Sequence, residues 1–238
     1  MQNNIKVLVI VPAFNEAENI AKLIGDIKKY DYRYEVSILV VNDYSTDSTS
    51  TICNDLGVST INLPCNLGIG GAVQTGYKFA KKYNYNIAIQ VDGDGQHNPE
   101  YIEKLIEPLL FENADMVIGS RFIENIGFQS SKLRRLGIQY LKNLINAITN
   151  LKVTDPTSGF RACNKKVIDI FADNYPKDYP EPESIMLINR KGLKVSEIPV
   201  IMNERKGGVS SINLTRSVYY MVKVSLAILF DKIRKETL

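Results

Sequence analysis

The sequence predicts an α/β fold, in which a mostly parallel sheet has helices on both faces. Short β-branched runs alternate with segments of helical periodicity through the first half of the chain, and this alternation is typical of parallel strands joined by crossover helices. The strand segments are also almost continuously apolar, as in Ile38-Leu-Val-Val41, which indicates burial on both sides. The 238 residues, 45% of them hydrophobic, suffice for one such domain with short additions.

The predicted elements follow a regular order up to residue 120. Strands are expected at residues 5–11, 36–42, 58–63, 87–92 and 116–120, and helices at 17–29, 48–56, 70–82 and 99–111. Later, the pattern predicts a helix at 132–150, a loop at 154–161, a helix ending at 190, a strand at 194–200 and a final helix from about 214. We therefore expect one domain over residues 1–212 and a C-terminal amphipathic helix over residues 213–238 that docks on a membrane or a partner.

Composition narrows the classes of function. A net charge of +3, from 29 basic and 26 acidic residues, does not indicate a nucleic-acid partner. The three cysteines are scattered, so neither a disulfide framework nor a zinc site is predicted and a reduced cytoplasm is the simplest location. We find no signal-peptide pattern, and the apolar stretch at 218–230, interrupted by Lys223, falls short of the roughly 20 residues that cross a bilayer.

Polar clusters follow the predicted strands, where open α/β sheets bind ligands. They are Pro12-Ala-Phe-Asn-Glu16, Asn42-Asp-Tyr-Ser-Thr-Asp47, Asn66-Leu-Gly-Ile-Gly-Gly71 and Asp92-Gly-Asp-Gly-Gln96. Each one alone is compatible with an ordinary turn or helix cap, because Asn, Asp, Ser and Gly favour such positions.

The acidic cluster has the most specific chemistry. Asp92 and Asp94 flank one glycine at the end of a strand, with Gln96 and His97 following and no cationic neighbour in sequence. Carboxylates so placed repel each other unless a cation neutralises them, and their hard oxygens suit Mg²⁺ or Mn²⁺ bridging phosphate groups. Taken alone, the cluster fits a solvated acidic turn equally well.

Two other clusters suggest a nucleotide. Asp43 could accept hydrogen bonds from a base or a ribose hydroxyl, or simply form an Asx-turn. The glycines of residues 66–71 would let the backbone approach a diphosphate closely, although the segment has neither a P-loop nor a complete dinucleotide motif.

A longer series of motifs runs in order along the chain. It comprises Val11-Pro-Ala-Phe-Asn-Glu16, Asn42-Asp43, Asn66-x-Gly68, Asp92-x-Asp94-x-Gln96-His97, Gly119-Ser-Arg121, Asp155-Pro-x-Ser-Gly159 and Glu204-Arg205-x-x-Gly208-x-Ser210. This series strongly resembles family-2 glycosyltransferases, and within them the dolichyl- and undecaprenyl-phosphate sugar synthases. The resemblance implies a Rossmann-like GT-A fold. One departure is Asn42, where many members of that family carry the first Asp of a pair.

The resemblance also implies roles for individual residues. The nucleotide-sugar would be held by Pro12, Phe14, Glu16, Asp43, Asn66, Gly68, Asp92 and Gln96. The metal, Mg²⁺ or Mn²⁺, would be bound by Asp92, Asp94 and Gln96. Arg121, Arg205 and Ser210 would face the donor diphosphate or the acceptor phosphate, and the catalytic set would be Asp94, Arg205 and Asp155.

The basic segment at residues 132–142 allows two interpretations. Its apolar stripe, comprising Leu133, Leu136, Tyr140, Leu141 and Leu144, fits a surface helix that packs on the sheet. It also fits a helix at the bilayer interface that offers Arg134 or Arg135 to a lipid phosphate. The stretch at 219–233 presents the same alternatives, with docking against a membrane protein as a further one.

These features together predict an inverting, metal-dependent glycosyltransferase at the inner face of the plasma membrane. It would move a sugar from a nucleotide-sugar, with UDP favoured and GDP possible, to a polyprenyl phosphate in cell-envelope polysaccharide modification. An alternative acceptor is a saccharide hydroxyl, for capsule or O-antigen synthesis, and Asp155 would then be the first candidate for the general base. A sugar nucleotidyltransferase is disfavoured, because no Gly-rich basic loop follows the first strand, and a non-catalytic recruitment protein is disfavoured by the intact acidic cluster.

Overall fold

A central sheet organises the computed structural model, which describes residues 5–149, 151–204 and 214–233. The strands are β1 (Lys6–Ala13), β2 (Glu35–Asn42), β3 (Ser59–Asn62), β4 (Ile87–Gln90), β5 (Met116–Ser120), β6 (Arg161–Asn164) and β7 (Val195–Pro199). The helices are α1 (Ile20–Lys29), α2 (Thr49–Asp55), α3 (Gly68–Lys82), α4 (Ile102–Phe111), α5 (Lys132–Thr149), α6 (Lys165–Asp173), α7 (Pro180–Arg190) and α8 (Leu214–Ile233), and a 3-10 turn, Pro99–Tyr101, leads into α4.

The sheet is mostly parallel, which confirms the predicted fold class. Its seven strands lie in the order β3-β2-β1-β4-β6-β5-β7. All neighbouring pairs are parallel except those of β6, which runs antiparallel to both β4 and β5. Neither β6 nor α6 was predicted, because the strand is only 4 residues long and its helix follows without a turn.

Each face of the sheet carries its own hydrophobic core. Along β1, Val7 and Val9 face the core under α1, α2 and α4, whereas Leu8 and Ile10 face the core under α3 and α5–α8. This alternation follows from the two-residue period of a strand. Helices therefore cover both faces, as the apolar strands predicted.

Helix α8 packs against α5 and α7. Its buried residues include Val224 and Ile228, and the Ser225 hydroxyl donates a hydrogen bond to Tyr140 Oη on α5 at 3.2 Å. Among the described helices, none combines the length and the apolar character needed to cross a bilayer. The boundary between the domain and a docking helix at residue 213 stays a prediction.

Candidate active site

The predicted site residues in the loops after β1, β2, β4 and β5 lie at one edge of the sheet. Strands β1, β2, β4 and β5 all end there, and β6 begins there because it runs antiparallel to its neighbours. Gln90 of β4 pairs with Arg161 of β6, which brings the loop before β6 against the acidic cluster. Gln90 and Arg161 are far apart in sequence, and they become neighbours because β6 runs antiparallel to β4.

The acidic loop after β4 (residues 92–96) is held by hydrogen bonds within the loop and from Gln90 and Asn203. Asp94 Oδ1 accepts a hydrogen bond from the Gln96 N–H at 3.0 Å, and the Gln96 carbonyl accepts one from the Asn203 N–H at 2.8 Å. Asp92 Oδ1 accepts from Gln90 Nε2 at 2.8 Å. The loop therefore presents two carboxylates from a fixed backbone.

His97 lies between the backbone of this loop and the Phe160 ring. Its Nδ1 accepts the Asp92 N–H at 3.0 Å, and its buried ring stacks on Phe160 with centroids 4.8 Å apart and planes 9° apart. Because Nδ1 is an acceptor, the ring proton lies on Nε2, 3.7 Å from Asp92 Oδ2. This geometry gives His97 a structural role in the loop.

A small cleft of about 130 Å³ opens beside the acidic loop, on the side of α1. Its lining includes Asn19, Lys22, Asp94, His97 and Glu204. In the described part of the chain, no three His, Cys, Asp or Glu side chains converge in a way that could hold a metal ion.

The loop after β1 packs directly on the acidic loop. A Cβ built on Gly93 would lie 2.9 Å from the Pro12 carbonyl oxygen and 3.4 Å from Glu16 Cγ, so only glycine lets the two loops approach. Glu16 is buried and its Oε2 accepts from Asn19 Nδ2 at 2.8 Å. Phe14, in contrast, is 46% exposed.

Asp43 joins the end of β2 to the start of α3. Its Oδ1 accepts from the Leu67 N–H at 2.7 Å, and Asn66 Nδ2 donates to the Asp43 carbonyl at 3.2 Å. Burial raises the pKa of Asp43, and the hydrogen bonds from the Leu67 and Gly68 N–H groups oppose this rise. The predicted residues Asp43, Asn66 and Gly68 therefore form one connected unit.

The conformation and packing of the chain explain two glycines of residues 66–71. Gly68 has a positive φ of 73°, which favours glycine. A Cβ on Gly70 would lie 2.1 Å from the Lys177 carbonyl oxygen, so Gly70 is required for packing against the loop before α7. The sequence interpretation linked these glycines to a diphosphate; backbone conformation accounts for Gly68 and chain packing for Gly70.

Asn42 has a structural reason for departing from the family's acidic pair. Its Nδ2 donates to Asn62 Oδ1 at 2.8 Å, and its Oδ1 accepts from the Ser45 N–H at 3.2 Å. A carboxylate can only accept hydrogen bonds when ionised, so aspartate could not make both contacts as they stand. The amide ties β2 to β3 beside Asp43.

Arg121 and Asp155 form a buried ion pair. Arg121 Nε and Nη2 donate to Asp155 Oδ2 and Oδ1 at 2.7 and 2.8 Å. Asp155 is 0% exposed, and its backbone N–H donates to Glu197 Oε1 at 2.9 Å. The predicted catalytic carboxylate and the predicted phosphate ligand are thus each other's partners, an arrangement in which both carboxylate oxygens are already engaged.

The remaining predicted cations lie at the start of α5 or outside the described residues. Arg134 and Arg135 are exposed, and Arg135 Nη1 donates to Gln129 Oε1 at 3.3 Å. Arg205 and Ser210 fall in the segment 205–213, which the structure does not describe.

Sequence reasoning missed Arg161 and Glu181. Arg161 is buried and donates to the carbonyl oxygens of Ser158, Pro156 and Glu181 and to Ser184 Oγ. Burial raises the pKa of Glu181 to about 6; the Arg161 charge opposes this rise and the Asp92 charge adds to it. For Arg161 the available signal was a charged residue within a short, otherwise apolar run, Phe160-Arg-Ala-Cys163.

Comparisons with known proteins agree with this geometry. The sequence matches Glycosyl transferase family 2 over residues 8–171. It is 29% identical over 217 residues to the UDP-N-acetylglucosamine–dolichyl-phosphate N-acetylglucosaminyltransferase of Methanococcus voltae, covering 82% of this chain and 84% of that protein. It is also 29% identical over 231 residues to the polyprenol monophosphomannose synthase of Mycolicibacterium smegmatis, covering 92% and 86%.

The fold has a close counterpart among solved structures. Glucosyl-3-phosphoglycerate synthase from Mycobacterium tuberculosis, in complex with Mn²⁺, UDP and phosphoglyceric acid, superposes with a TM-score of 0.75 at 19% identity, covering 98% of this chain and 80% of that one. The likeness establishes the shared GT-A-like fold. The chain belongs to glycosyltransferase family 2 and is a glycosyltransferase.

Proposed function

We propose that this glycosyltransferase moves a sugar from a nucleotide-sugar, with UDP as the favoured nucleotide, to a polyprenyl phosphate. The observation that carries the donor half of the proposal is the packing of Gly93, between Asp92 and Asp94, against Pro12 and Glu16. The Asp43 N–H donates to the Ala13 carbonyl at 2.8 Å, which brings Asp43 to the same edge of the sheet. The two relatives compared above are named for transfer to dolichyl phosphate and for polyprenol monophosphomannose synthesis.

The donor set fits a divalent cation shared with the substrate. Asp92 and Asp94 have no third His, Cys, Asp or Glu side chain beside them among the described residues that would complete a metal site. Mg²⁺ and Mn²⁺ typically bind through one or two carboxylates plus substrate phosphates, so the pair suits such an ion. Asp92 and Asp94 would hold the ion, with Gln96 as a predicted third ligand. When bound, the cation supplies positive charge to the diphosphate leaving group.

The chain's own residues suit a single inverting displacement. Glu16 and Asp43 would bind the nucleoside, with Phe14 against the base and Pro12, Asn66 and Gly68 lining the same site. An acceptor phosphate oxygen would then attack the anomeric carbon while the bond to the diphosphate breaks. Arg205 would stabilise the charge that develops on the leaving diphosphate.

The state of Asp155 favours a phosphate acceptor. Its buried carboxylate is paired with Arg121 through both oxygens, so it is poorly placed to take a proton from a sugar hydroxyl. A phosphate monoester is already ionised near neutral pH and needs no strong base. A saccharide acceptor would need a base other than Asp155, and Glu181, whose pKa is raised to about 6 by burial, is the next carboxylate to test. This acceptor stays the second candidate.

An exposed apolar surface lies next to the predicted acceptor cations. Leu133, Leu136 and Tyr140 of α5 are exposed, whereas Leu141 of the same predicted stripe is buried in the core. Exposed side chains of α8 extend the surface: Tyr219, Val222, Leu226, Leu229 and Phe230. Apolar side chains beside Arg134, Arg135 and Lys132 suit the anionic inner surface of a plasma membrane, with a small membrane protein as the alternative partner.

A nucleotide panel tests the donor. Thermal unfolding is measured with UDP-, GDP- and dTDP-sugars, each with and without Mn²⁺, because a ligand that binds only the native state raises its stability. We expect the largest rise for a UDP-sugar with Mn²⁺. No rise with any nucleotide-sugar would contradict the donor assignment.

Lipid extraction tests the acceptor. Membranes supplied with radiolabelled nucleotide-sugar should yield an acid-labile lipid phosphate. Label that appears only in water-soluble saccharide would support the second candidate, and Glu181→Gln should then abolish transfer.

Flotation with anionic vesicles tests the membrane surface. Leu136 is 69% exposed on α5, and Phe111 at the end of α4 is 73% exposed on the other face of the sheet. We expect Leu136→Glu to weaken vesicle binding and the matched control Phe111→Glu to leave it unchanged. Equal vesicle binding by both variants would contradict a membrane contact through α5.

A further inference from the structure

Gln90 is a buried polar residue at the end of an apolar strand. The other residues of β4 are Ile87, Ala88 and Ile89, and Gln90 itself is completely buried. Its Nε2 donates to Asp92 Oδ1 at 2.8 Å, while its Oε1 has no hydrogen-bond partner among the described residues. An unpartnered buried oxygen lowers stability, so this side chain is not explained by packing.

The orientation of the Gln90 amide is dictated by Asp92. An ionised carboxylate offers only acceptors, so the amide must turn its NH₂ group toward Asp92 and its oxygen away. A flipped amide would place Gln90 Oε1 against Asp92 Oδ1, and neither oxygen could donate to the other. The cost of the unpartnered Oε1 is therefore tied to the hydrogen bond that Asp92 receives.

Two further contacts confine the same carboxylate. A Cβ on Gly159 would lie 2.7 Å from Asp92 Oδ2 and 2.9 Å from Gln90 Nε2, so the backbone at Gly159 closes one side. His97 Nε2 lies 3.7 Å from Asp92 Oδ2 on another side. Gln90 is thus one wall of a cradle that leaves the Asp92 carboxylate little rotational freedom.

We propose that Gln90 is a positioning residue that aligns Asp92 for the diphosphate-bound cation; the inference rests on the metal assignment in the proposed function. A neutral amide fixes the carboxylate without neutralising it, so its full charge stays available to the cation. Lysine or arginine would compete with the cation, and glutamate could not donate when ionised. Partners that orient a metal ligand commonly change metal affinity 10–100-fold when removed.

The test is Gln90→Met in the whole chain. Methionine has a similar length, cannot donate, and removes the unpartnered oxygen together with the amide. We expect a thermal midpoint close to that of the wild type, because the loss of the hydrogen bond to Asp92 and the removal of the unpartnered oxygen act in opposite directions. We also expect Mn²⁺ affinity in the presence of UDP, measured by EPR titration of free Mn²⁺, to fall about 10–100-fold.

Gln74→Met is the matched control. Gln74 is a half-buried glutamine on α3 whose Nε2 donates to the Ala172 carbonyl at 3.3 Å, and it should leave Mn²⁺ affinity unchanged. Unchanged affinity in Gln90→Met, whatever its stability, would overturn the inference.

A shorter amide keeps the test decisive if Gln90→Met does not fold. Gln90→Asn retains the amide but shortens its reach to Asp92, so its Mn²⁺ affinity should also fall below that of the wild type. Wild-type affinity in this variant would overturn the inference. A wild-type protein that binds UDP but no Mn²⁺ would overturn the metal assignment and this inference together, whereas loss confined to the Gln90 variants would support both.

Discussion

Replacing Asp155 by asparagine keeps the shape of the side chain and removes its charge. The carboxylate is 0% exposed and is bonded to Arg121 Nε and Nη2 at 2.7 and 2.8 Å. Removing one partner of a buried pair leaves the other charge uncompensated, which typically costs about 3–5 kcal/mol. Since natural domains are stable by only about 5–15 kcal/mol, we expect Asp155→Asn to lose a large share of its free energy of unfolding.

Urea unfolding followed by circular dichroism measures this loss. The control is Asp173→Asn, which breaks the pair between Lys81 Nζ and Asp173 at the same distance of 2.8 Å, but with side chains 41% and 73% exposed. Exposed pairs contribute about 0–1 kcal/mol, so the control should change stability little. The contrast isolates burial, because the distance between the charged atoms is matched.

A double variant separates the charge effect from general disruption. Arg121→Met combined with Asp155→Leu removes both charges, and replacing a whole buried pair by apolar side chains is often close to neutral. We expect the double variant to be more stable than Asp155→Asn alone. Asp155→Asn within about 1 kcal/mol of the wild type would refute this account of the pair and would return Asp155 to the list of candidate bases.

Three further outcomes follow from the site. Asp94→Ala should abolish both transfer and Mn²⁺-dependent nucleotide binding, as should excess chelator, and full activity in either case would contradict the metal assignment. The pKa of Glu181 is raised to about 6 from an ordinary 4.5, so the folded state disfavours the ionised carboxylate. The contribution of this group to stability is therefore present below pH 4.5 and is lost as pH rises through 6. Glu181→Gln should therefore gain stability relative to the wild type across that range, by at most about 2 kcal/mol, in urea titrations at several pH values; a constant difference would contradict the raised pKa. Gly70→Ala should destabilise the protein by about 1–3 kcal/mol, because its Cβ would meet the Lys177 carbonyl oxygen at 2.1 Å. The control Gly25→Ala, in open space on α1, should stabilise the protein by about 0.5–1 kcal/mol. Stability changes of the same sign in both variants, measured by thermal unfolding, would refute the packing argument.

The parts of the site that follow parallel strands could be predicted from the sequence. Asp43 and Asp92 each come just after an apolar run, and parallel strands bring such positions to one edge without any knowledge of side-chain contacts. The partners of these residues could not be predicted in the same way. Leu67 N–H satisfies Asp43 through the conformation of a turn, and turn geometry depends on packing that a single sequence does not reveal.

The pairing of Arg121 with Asp155 could not be predicted, because it depends on the antiparallel direction of β6. The family resemblance assigned Arg121 to a phosphate and Asp155 to the catalytic set. No strand was predicted between them and residue 194, so their pairing across 34 residues was not foreseen. The antiparallel strand β6 places its own beginning beside the end of β5, and the Gly119 N–H donates to the Phe160 carbonyl at 2.8 Å. Once that pairing exists, the loop before β6 must fold back over Arg121.

The same strand explains why the acidic loop is more than a turn. Gly159 and Phe160 precede β6, and they supply the backbone against Asp92 and the ring under His97. A solvated turn would need neither a glycine that yields space to one carboxylate oxygen nor a buried amide that bonds to the other. These contacts fix the Asp92 carboxylate more firmly than a solvated turn requires, and they favour the metal interpretation, which the Asp94→Ala and chelator experiments test.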